Sequence, residues 1–446
     1  MKLSESELKD FFDFLSIKSM GTTSEYAEDM NKTVQWLEKQ MVRNGIKDVC
    51  KIHTEGYPIV YGKIISKKNS KTILLYGHYD VQPAFIEEGW TQDPFKPVIK
   101  DDKIYARGTT DCKGGIFACL TAVKNMVDEK NIPINLKFLF EGEEESGSPS
   151  LRKALTDNKD LFQADLIISM DGCGAGSNPV IRSGFKGMCG VEIELTGTEC
   201  ELHSGMAGQM VHNPAMVLCD IVSSMKKDGK ITIDGFYDQV VEISEEEKKA
   251  FAESTQTDEE YKKSYSADYL FGEAGYTPTE RLFARPTLDV NGILSGYVKN
   301  GVKNIIPSKA ICKIGCRLVN DQDPDYIYKC IEHHVLERIP KGISVKMKPY
   351  AGGIRAYVLP MDLPAVKVLK KIDTEIYGTS PKFIRSGGTL PLSRMFYDIF
   401  HRYLIGFGPY SFVENVHGPN EYVRIENLER IIKWLPRLIL GISEVL

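Results

Sequence analysis

The sequence lacks an excess of charge of either sign, because its 446 residues carry 56 Lys and Arg against 61 Asp and Glu, a net charge of -5. Nucleic-acid binders usually present a basic surface, so the balance argues against a nucleic-acid partner. No apolar run of about 18 residues occurs, so no helix is expected to span a membrane. The opening residues MKLSESELKD are acidic where a signal peptide is apolar, so export is not expected.

The sequence also lacks any C-x-x-C pair, and its 10 Cys residues are scattered along the chain. A chain of this length can bury its own cores without disulfides, so reduced thiols and a cytoplasmic location are expected. Cys312 and Cys316 lie four residues apart in an alternating pattern. That spacing places both on one face of a strand, as packing residues rather than zinc ligands.

Short apolar runs at 59–65, 72–76, 134–140 and 165–169 indicate strands, and residues 115–127 indicate a helix between the second and third. Strands that alternate with helices predict an α/β fold with a mostly parallel sheet flanked by helices. The final ninety residues or so return to this character, with a strand at 403–407 and a helix from 425 to about 440.

The middle of the chain has a different pattern. Strict alternation at 191–195, helices at 213–226 and 325–338, and strands at 309–319 and 343–348 predict a smaller α+β domain of the split βαβ, ferredoxin-like type. The acidic, aromatic stretch 234–280 is interpreted as a solvated helix face plus loop. The predicted domains are therefore 1–187 with 356–446, and an inserted domain at 188–355.

Several potential metal ligands follow predicted strands of the α/β domain, and one more opens a helix within the Gly-rich turn GTTDCKGG. Open α/β sheets bind ligands at the carboxyl ends of their strands, so these side chains are expected to converge. They are His78, Asp111, Glu144, Glu145, Asp171 and His417.

Two imidazoles and three carboxylates suit two divalent cations about 3.5–4 Å apart, with Zn²⁺ expected and Mn²⁺ or Co²⁺ as alternatives. Two divalent ions carry a total charge of +4, and the three carboxylates carry -3. The positive charge that remains can hold a hydroxide. His78 and Asp80 point the same way on an extended chain, so Asp80 can accept the second ring N–H of His78. Adjacent Glu144 and Glu145 cannot share one role, which suggests one ligand and one general base.

The motifs GHYDVQP, W-x-x-DPF, RGTTDCKGG, EGEEESGS and LHSG, followed by a late His, resemble the dinuclear-zinc exopeptidases and deacylases. That family includes carnosinases, glutamate carboxypeptidase, aminoacylases and succinyl-diaminopimelate desuccinylase. The stretches GFYD, RPTLDVNGI and RSGGTLP are similar to its carnosinase-like cytosolic dipeptidase branch.

The resemblance implies one metal bound by His78, Asp111 and Asp171. The second metal would be bound by Asp111, Glu145 and His417, with Asp111 bridging and a cis peptide bond after it. It assigns Glu144 as the general base and Asp80 as the residue that orients His78.

Further roles follow from the same resemblance. The inserted domain would be a lid and dimerisation domain, through which the chain forms a homodimer. His203 would reach the neighbouring subunit's site and stabilise an oxyanion, and Asn304 would make another contact across subunits. Arg317 would bind a substrate carboxylate, and the floor of the site would be formed by Gly387, Gly388 and Thr389.

The predicted function is metal-dependent hydrolysis of dipeptides or short peptides that have a free C-terminal carboxylate, by a hydroxide that bridges the metals, with Glu144 as base. Two alternatives stay open. The same ligands would serve an N-acyl amino acid deacylase acting on acetyl or succinyl groups, and a protein of another class would only bind a ligand without catalysis.

Overall fold

A computed structural model describes residues 2–174, 179–254, 256–410 and 414–446 of the chain. The chain forms two compact units. The first comprises Met1–Ser183, Leu359–Phe383 and Pro391–Leu446, and the second comprises Gly184–Val358 and Ile384–Leu390. These boundaries lie a few residues from the predicted ones, and the segment 384–390 joins the second unit. The catalytic role of one domain and the lid role of the other stay predictions.

The described chain begins with two helices, after which strands and helices alternate. The elements before residue 187 are α1 (Glu5–Leu15), α2 (Ala27–Arg43), β1 (Lys47–Ile52), β2 (Ile59–Ile64), β3 (Thr72–His78), β4 (Val98–Lys100), β5 (Lys103–Tyr105), α3 (Lys113–Asp128), β6 (Asn135–Glu141), α4 (Leu151–Asp157), α5 (Lys159–Phe162), β7 (Leu166–Gly174) and β8 (Val180–Phe185).

The elements from residue 187 to 358 are β9 (Gly187–Thr196), β10 (Leu202–His203), α6 (Ser204–Ala207), α7 (Pro214–Ser224), β11 (Lys226–Lys227), β12 (Lys230–Ile231), α8 (Glu245–Ser254), α9 (Asp258–Tyr265), α10 (Pro278–Ala284), β13 (Thr287–Ser295), β14 (Ile305–Ile306), β15 (Lys309–Leu318), α11 (Pro324–Leu336), β16 (Ser344–Ile354) and β17 (Tyr357–Val358). The final elements are α12 (Pro364–Tyr377), β18 (Lys382–Ser386), α13 (Pro391–Phe400), β19 (Leu404–Gly408), β20 (Tyr422–Arg424) and α14 (Ile425–Ser443).

The first unit is built on a six-stranded sheet with the order β1-β2-β6-β3-β7-β19. The strands β6, β3, β7 and β19 run parallel, and β1 and β2 are antiparallel to their neighbours. In β3 every residue from Ile73 to His78 is buried, as is typical of a central parallel strand. The parallel strands therefore deliver their carboxyl ends to one edge of the sheet.

Helix α3 packs unusually close to this sheet. A Cβ atom on Gly115 would lie 2.4 Å from the carbonyl oxygen of Met170 in β7, so only glycine fits there. Helix α14 packs against α3, and α12 packs against α14. The first turn of α3, which follows Asp111, is thereby held against the sheet.

The second unit contains a four-stranded antiparallel sheet with the order β13-β15-β9-β16. Along the chain its elements run β9, α7, β13, β15, α11 and β16, which is the split βαβ arrangement that the sequence predicts. Helices α7 and α11 pack on the sheet. Cys312 and Cys316 are buried in the core between these helices and strands, so both are packing residues as expected.

No helix in the described part of the chain is both long enough and apolar enough to cross a bilayer.

Candidate metal centre and active site

The potential metal ligands lie where strands of the first unit end. His78 is the last residue of β3, and Asp171 lies in the final part of β7. Glu144 and Glu145 begin a 3₁₀ turn shortly after β6. His417 lies in the connection between β19 and β20. The convergence expected from a parallel sheet is thus realised.

Four side chains of potential ligands meet around Asp111. Its Oδ1 atom lies 2.8 Å from Nε2 of His78, and its Oδ2 atom lies 3.0 Å from Nε2 of His417. Nε2 of His417 is 3.2 Å from Glu145 Oε2, and Nε2 of His78 is 3.9 Å from Asp171 Oδ2. Two groups of three ligands result, each with its donor atoms within 4.8 Å of one another, and Asp111 belongs to both.

Asp80 links two of the ligand segments. Its backbone oxygen lies 3.1 Å and its Oδ1 atom 3.3 Å from Nδ1 of His78. The same carboxylate accepts hydrogen bonds from the backbone N–H groups of Glu144 and Glu145. Asp80 therefore orients both the imidazole and the turn that follows β6.

The peptide bond between Asp111 and Cys112 is cis, as predicted.

The electrostatics of this cluster favour a bound cation. Burial raises the pKa of Asp171 to about 6, and the Asp111 carboxylate adds to that rise. Burial also raises the pKa of Glu144 well above its ordinary value, and Asp171 contributes. Hydrogen bonds to Asp111 and Glu145 raise the pKa of His417 to about 10. Buried carboxylates that repel one another, together with imidazole nitrogens, form a donor set that fits divalent cations.

Glu421 is a site residue that the sequence analysis missed. Its fully buried carboxylate accepts hydrogen bonds from the backbone N–H groups of Gly108 at 2.9 Å, Thr110 at 2.8 Å and Asp111 at 3.2 Å. Nη1 of Arg107 donates to it at 2.8 Å. Glu421 therefore holds the loop that presents Asp111. Its only signal in the sequence is its position four residues after His417.

Gln82 was also missed. Its Nε2 atom donates to Oε2 of Glu145 at 2.8 Å, which fixes the orientation of that carboxylate.

The remaining predicted site residues belong to the second unit. His203 lies in β10, which pairs with β14 directly after Asn304, and the backbone N–H of Ser204 donates to the carbonyl of Asn304. Nδ1 of His203 accepts a hydrogen bond from the Gly205 N–H at 3.1 Å. In a neutral ring the proton is then assigned to Nε2, which can donate to an oxyanion.

Arg317 and the predicted floor residues come together within the second unit. Nη1 of Arg317 donates to Oγ1 of Thr389 at 2.7 Å. The carbonyl of Gly388 accepts from the Lys186 N–H at 2.9 Å, and Gly387 lines a cavity together with Arg317. The guanidinium is thus positioned by the segment 384–390.

The sequence profile of the peptidase family M20/M25/M40 matches residues 74–441, which is most of the chain. The protein belongs to this family. A metallo-carboxypeptidase of the M20 family, Sso-CP2 from Sulfolobus solfataricus, has a similar crystal structure with 32% identity and a TM-score of 0.83, and the alignment covers 100% of both chains.

Two relatives are dipeptidases by name. The Cys-Gly metallodipeptidase dug1 of Schizosaccharomyces pombe is 29% identical over 385 residues, which is 84% of this chain and 81% of that protein. The human Beta-Ala-His dipeptidase is 29% identical over 373 residues, which is 82% of this chain and 74% of that protein.

These findings confirm the predicted family resemblance, the α/β fold class and the enzyme class, a hydrolase of the metallopeptidase type. The family uses metal ions and acts on peptides. The role of each individual site residue stays a prediction.

Proposed function

We propose that the protein hydrolyses dipeptides and short peptides with a free C-terminal carboxylate at a centre that binds two divalent metal ions. One observation carries the proposal. Two three-ligand groups share the Asp111 carboxylate, and Glu144 lies beside them in the turn that Asp80 holds. The dipeptidase names of the relatives support the substrate class.

The two ions would be held by the groups His78, Asp111, Asp171 and Asp111, Glu145, His417. Zinc is the expected metal, with manganese or cobalt as alternatives, because the donors are imidazole nitrogens and carboxylate oxygens. When bound, the ions supply Lewis acidity towards a carbonyl and lower the pKa of water.

The side chains of the protein would bind, orient and move protons. A Glu144 carboxylate oxygen takes a proton from the attacking water and returns it to the leaving amine. Asp80 keeps the His78 ring and the Glu144 turn in place. The Nε2–H of His203 donates to the oxyanion, and Arg317 binds the C-terminal carboxylate of the substrate with its planar fork of donors.

We further propose a homodimer formed through the second unit. Strand β13 is at the edge of its sheet among the described strands, and it exposes Val290, Ile293 and Leu294. Met206 and Met210, which follow His203 closely, are also exposed. A long edge strand with exposed apolar side chains is normally buried against another surface. A second copy of the chain would provide that surface.

Mixing two inactive variants tests whether His203 acts across the dimer. Glu144→Gln and His203→Ala subunits are unfolded, mixed and refolded together. A mixed dimer contains one complete site only if His203 serves the partner, so about a quarter of wild-type activity should return. If the mixture stays as inactive as its parents, His203 does not serve the partner's site.

A cytoplasmic location is also part of the proposal. All cysteines whose side chains the structure describes are free thiols, which suits a reducing compartment.

A substrate panel on the metal-loaded enzyme tests the activity. The panel contains Cys-Gly, β-Ala-His, Ala-Phe, their C-terminal amides, and N-acetyl and N-succinyl amino acids. The proposal expects turnover of free dipeptides, and a loss of at least about tenfold in kcat/KM for the amides, which lack the carboxylate that Arg317 binds. Turnover of acyl amino acids alone would establish a deacylase, and no turnover at all would establish a non-catalytic protein.

A further inference from the structure

The acidic, aromatic stretch 234–280 contributes more than a solvated face. Its later part supplies aromatic side chains to a cavity of about 470 Å³ that lies wholly within the second unit. Tyr265 at the end of α9, and Tyr269 and Phe271 in the following loop, line this cavity and keep 60%, 76% and 66% of their surface exposed. Three large rings left in water around one concave surface are typical of a binding site.

Basic side chains form another part of the lining of this cavity. Arg317, Arg281 and Lys186 line the same cavity, and no acidic side chain of the described residues does. Lys186 is buried, and its Nζ donates to the carbonyls of Arg285 at 2.6 Å and Arg281 at 3.2 Å. Burial, with Arg317 adding to it, lowers the pKa of Lys186 to about 7. The guanidinium groups of Arg281 and Arg317 complement a ligand with an anionic end.

Gly387 contributes no side chain to the lining of the cavity. A Cβ atom on Gly387 would lie 2.8 Å from Cδ1 of Leu282, and Leu282 is itself part of the lining. A side chain at 387 would therefore have to displace Leu282 from its position in the lining. A volume of a few hundred Å³ suits one amino-acid residue better than a larger partner.

We propose that this cavity holds the C-terminal residue of the substrate, with its carboxylate at Arg317 and a large apolar or aromatic side chain against Tyr265, Tyr269 and Phe271. The enzyme would then prefer peptides that end in such residues over those that end in glycine. The inference rests on the proposed function, which it deepens by naming the side chain that is selected.

The kinetic test compares Ala-Phe with Ala-Gly on the metal-loaded enzyme. The wild type should favour Ala-Phe by at least about tenfold in kcat/KM, as expected when an apolar pocket is filled. Tyr269→Ala and Phe271→Ala should reduce this ratio to within about threefold. Lys263→Ala, on the same helix as Tyr265 but outside the cavity, is the matched control and should keep the wild-type ratio. An unchanged ratio in both aromatic variants would overturn the proposal.

Binding without catalysis separates this inference from the proposed activity. Calorimetry on the same enzyme compares 3-phenylpropionate, propionate and 3-phenylpropionamide. The aromatic carboxylate should bind at least about tenfold more tightly than either of the others, and Phe271→Ala should remove that advantage. Equal binding of 3-phenylpropionate to wild type and variant would overturn the cavity assignment even if dipeptides are hydrolysed. Failure to hydrolyse any dipeptide would instead contradict the proposed function.

Discussion

Oδ2 of Asp80 accepts a hydrogen bond of 3.0 Å from the backbone N–H of Glu145. The Oδ1 atom of the same carboxylate accepts from the Glu144 N–H and lies 3.3 Å from Nδ1 of His78. One buried side chain thus contacts the candidate ligand on β3, the candidate ligand after β6 and the expected general base. The geometry of the centre depends on this carboxylate having two acceptor oxygens.

Asp80→Asn should weaken metal binding and turnover by about 10- to 100-fold. An amide has only one acceptor oxygen, so an NH₂ group would face a backbone N–H or the His78 ring. Metal affinity is measured by competition with a chelator. Asp165→Asn is the matched control, because Asp165 accepts from the Thr72 N–H at the opposite end of β3. Equal losses in the two variants would show that Asp80 has no special role.

Glu144 and Glu145 should respond differently to the same change. Glu144→Gln should keep its metal content and lose at least about 100-fold in kcat, because an amide cannot take up the proton. Glu145→Gln should lose metal, since its Oε2 atom lies 3.2 Å from His417 in one of the ligand groups. Metal content by elemental analysis and initial rates distinguish the two. A reversal of the two phenotypes would exchange the assignments.

The convergence of the candidate ligands could be predicted because their placement follows from the chain order of strands. In a parallel sheet the carboxyl ends of strands share one edge, so His78 and Asp171 had to approach each other once their strands were recognised. Glu421 could not be predicted in this way. Nothing local distinguishes a buried carboxylate that accepts from the loop 107–111 from a solvated one.

The stretch 234–280 shows a second reason why some features of the structure could not be predicted from the sequence. The interpretation as a solvated helix face suits Glu245 and Glu246, which are exposed on α8. Glu247, by contrast, pairs with Arg385, a residue of the segment that joins the second unit from far along the chain. The periodicity of a sequence indicates local structure only. It therefore predicts neither this ion pair nor the aromatic side chains that line the cavity.

Glu421→Gln should destabilise the protein and weaken its metal binding. The amide would place a donor where Oε2 accepts from Gly108 and Arg107, and the buried guanidinium would lose its anion. Breaking such a pair costs about 3–5 kcal/mol of the free energy of unfolding. Thermal unfolding measures that loss, and chelator competition at a temperature where the variant is folded measures the metal affinity. Wild-type metal affinity in the folded variant would limit Glu421 to a structural role.

The buried carboxyl group of Asp373 in α12 should make the stability of the first unit depend on pH. Neither of its oxygens has a hydrogen-bond partner among the described residues, and burial raises its pKa to about 8. Below pH about 4 the group is protonated in both the folded and the unfolded chain. Between pH about 4 and about 8 the unfolded chain releases the proton first, so the free energy of unfolding falls as the pH rises.

Asp373→Asn removes this titration without changing the shape of the side chain. The variant should gain at least about 1 kcal/mol over wild type between pH 5 and pH 8, since each pKa unit is worth about 1.4 kcal/mol. Urea unfolding can be followed by tryptophan fluorescence, which reports on the correct unit because Trp36, Trp90 and Trp434 all belong to it. Asp362→Asn, at an exposed position just before α12, is the matched control and should show no such gain. A constant difference between Asp373→Asn and wild type across this range would mean that Asp373 is not protonated in the folded protein.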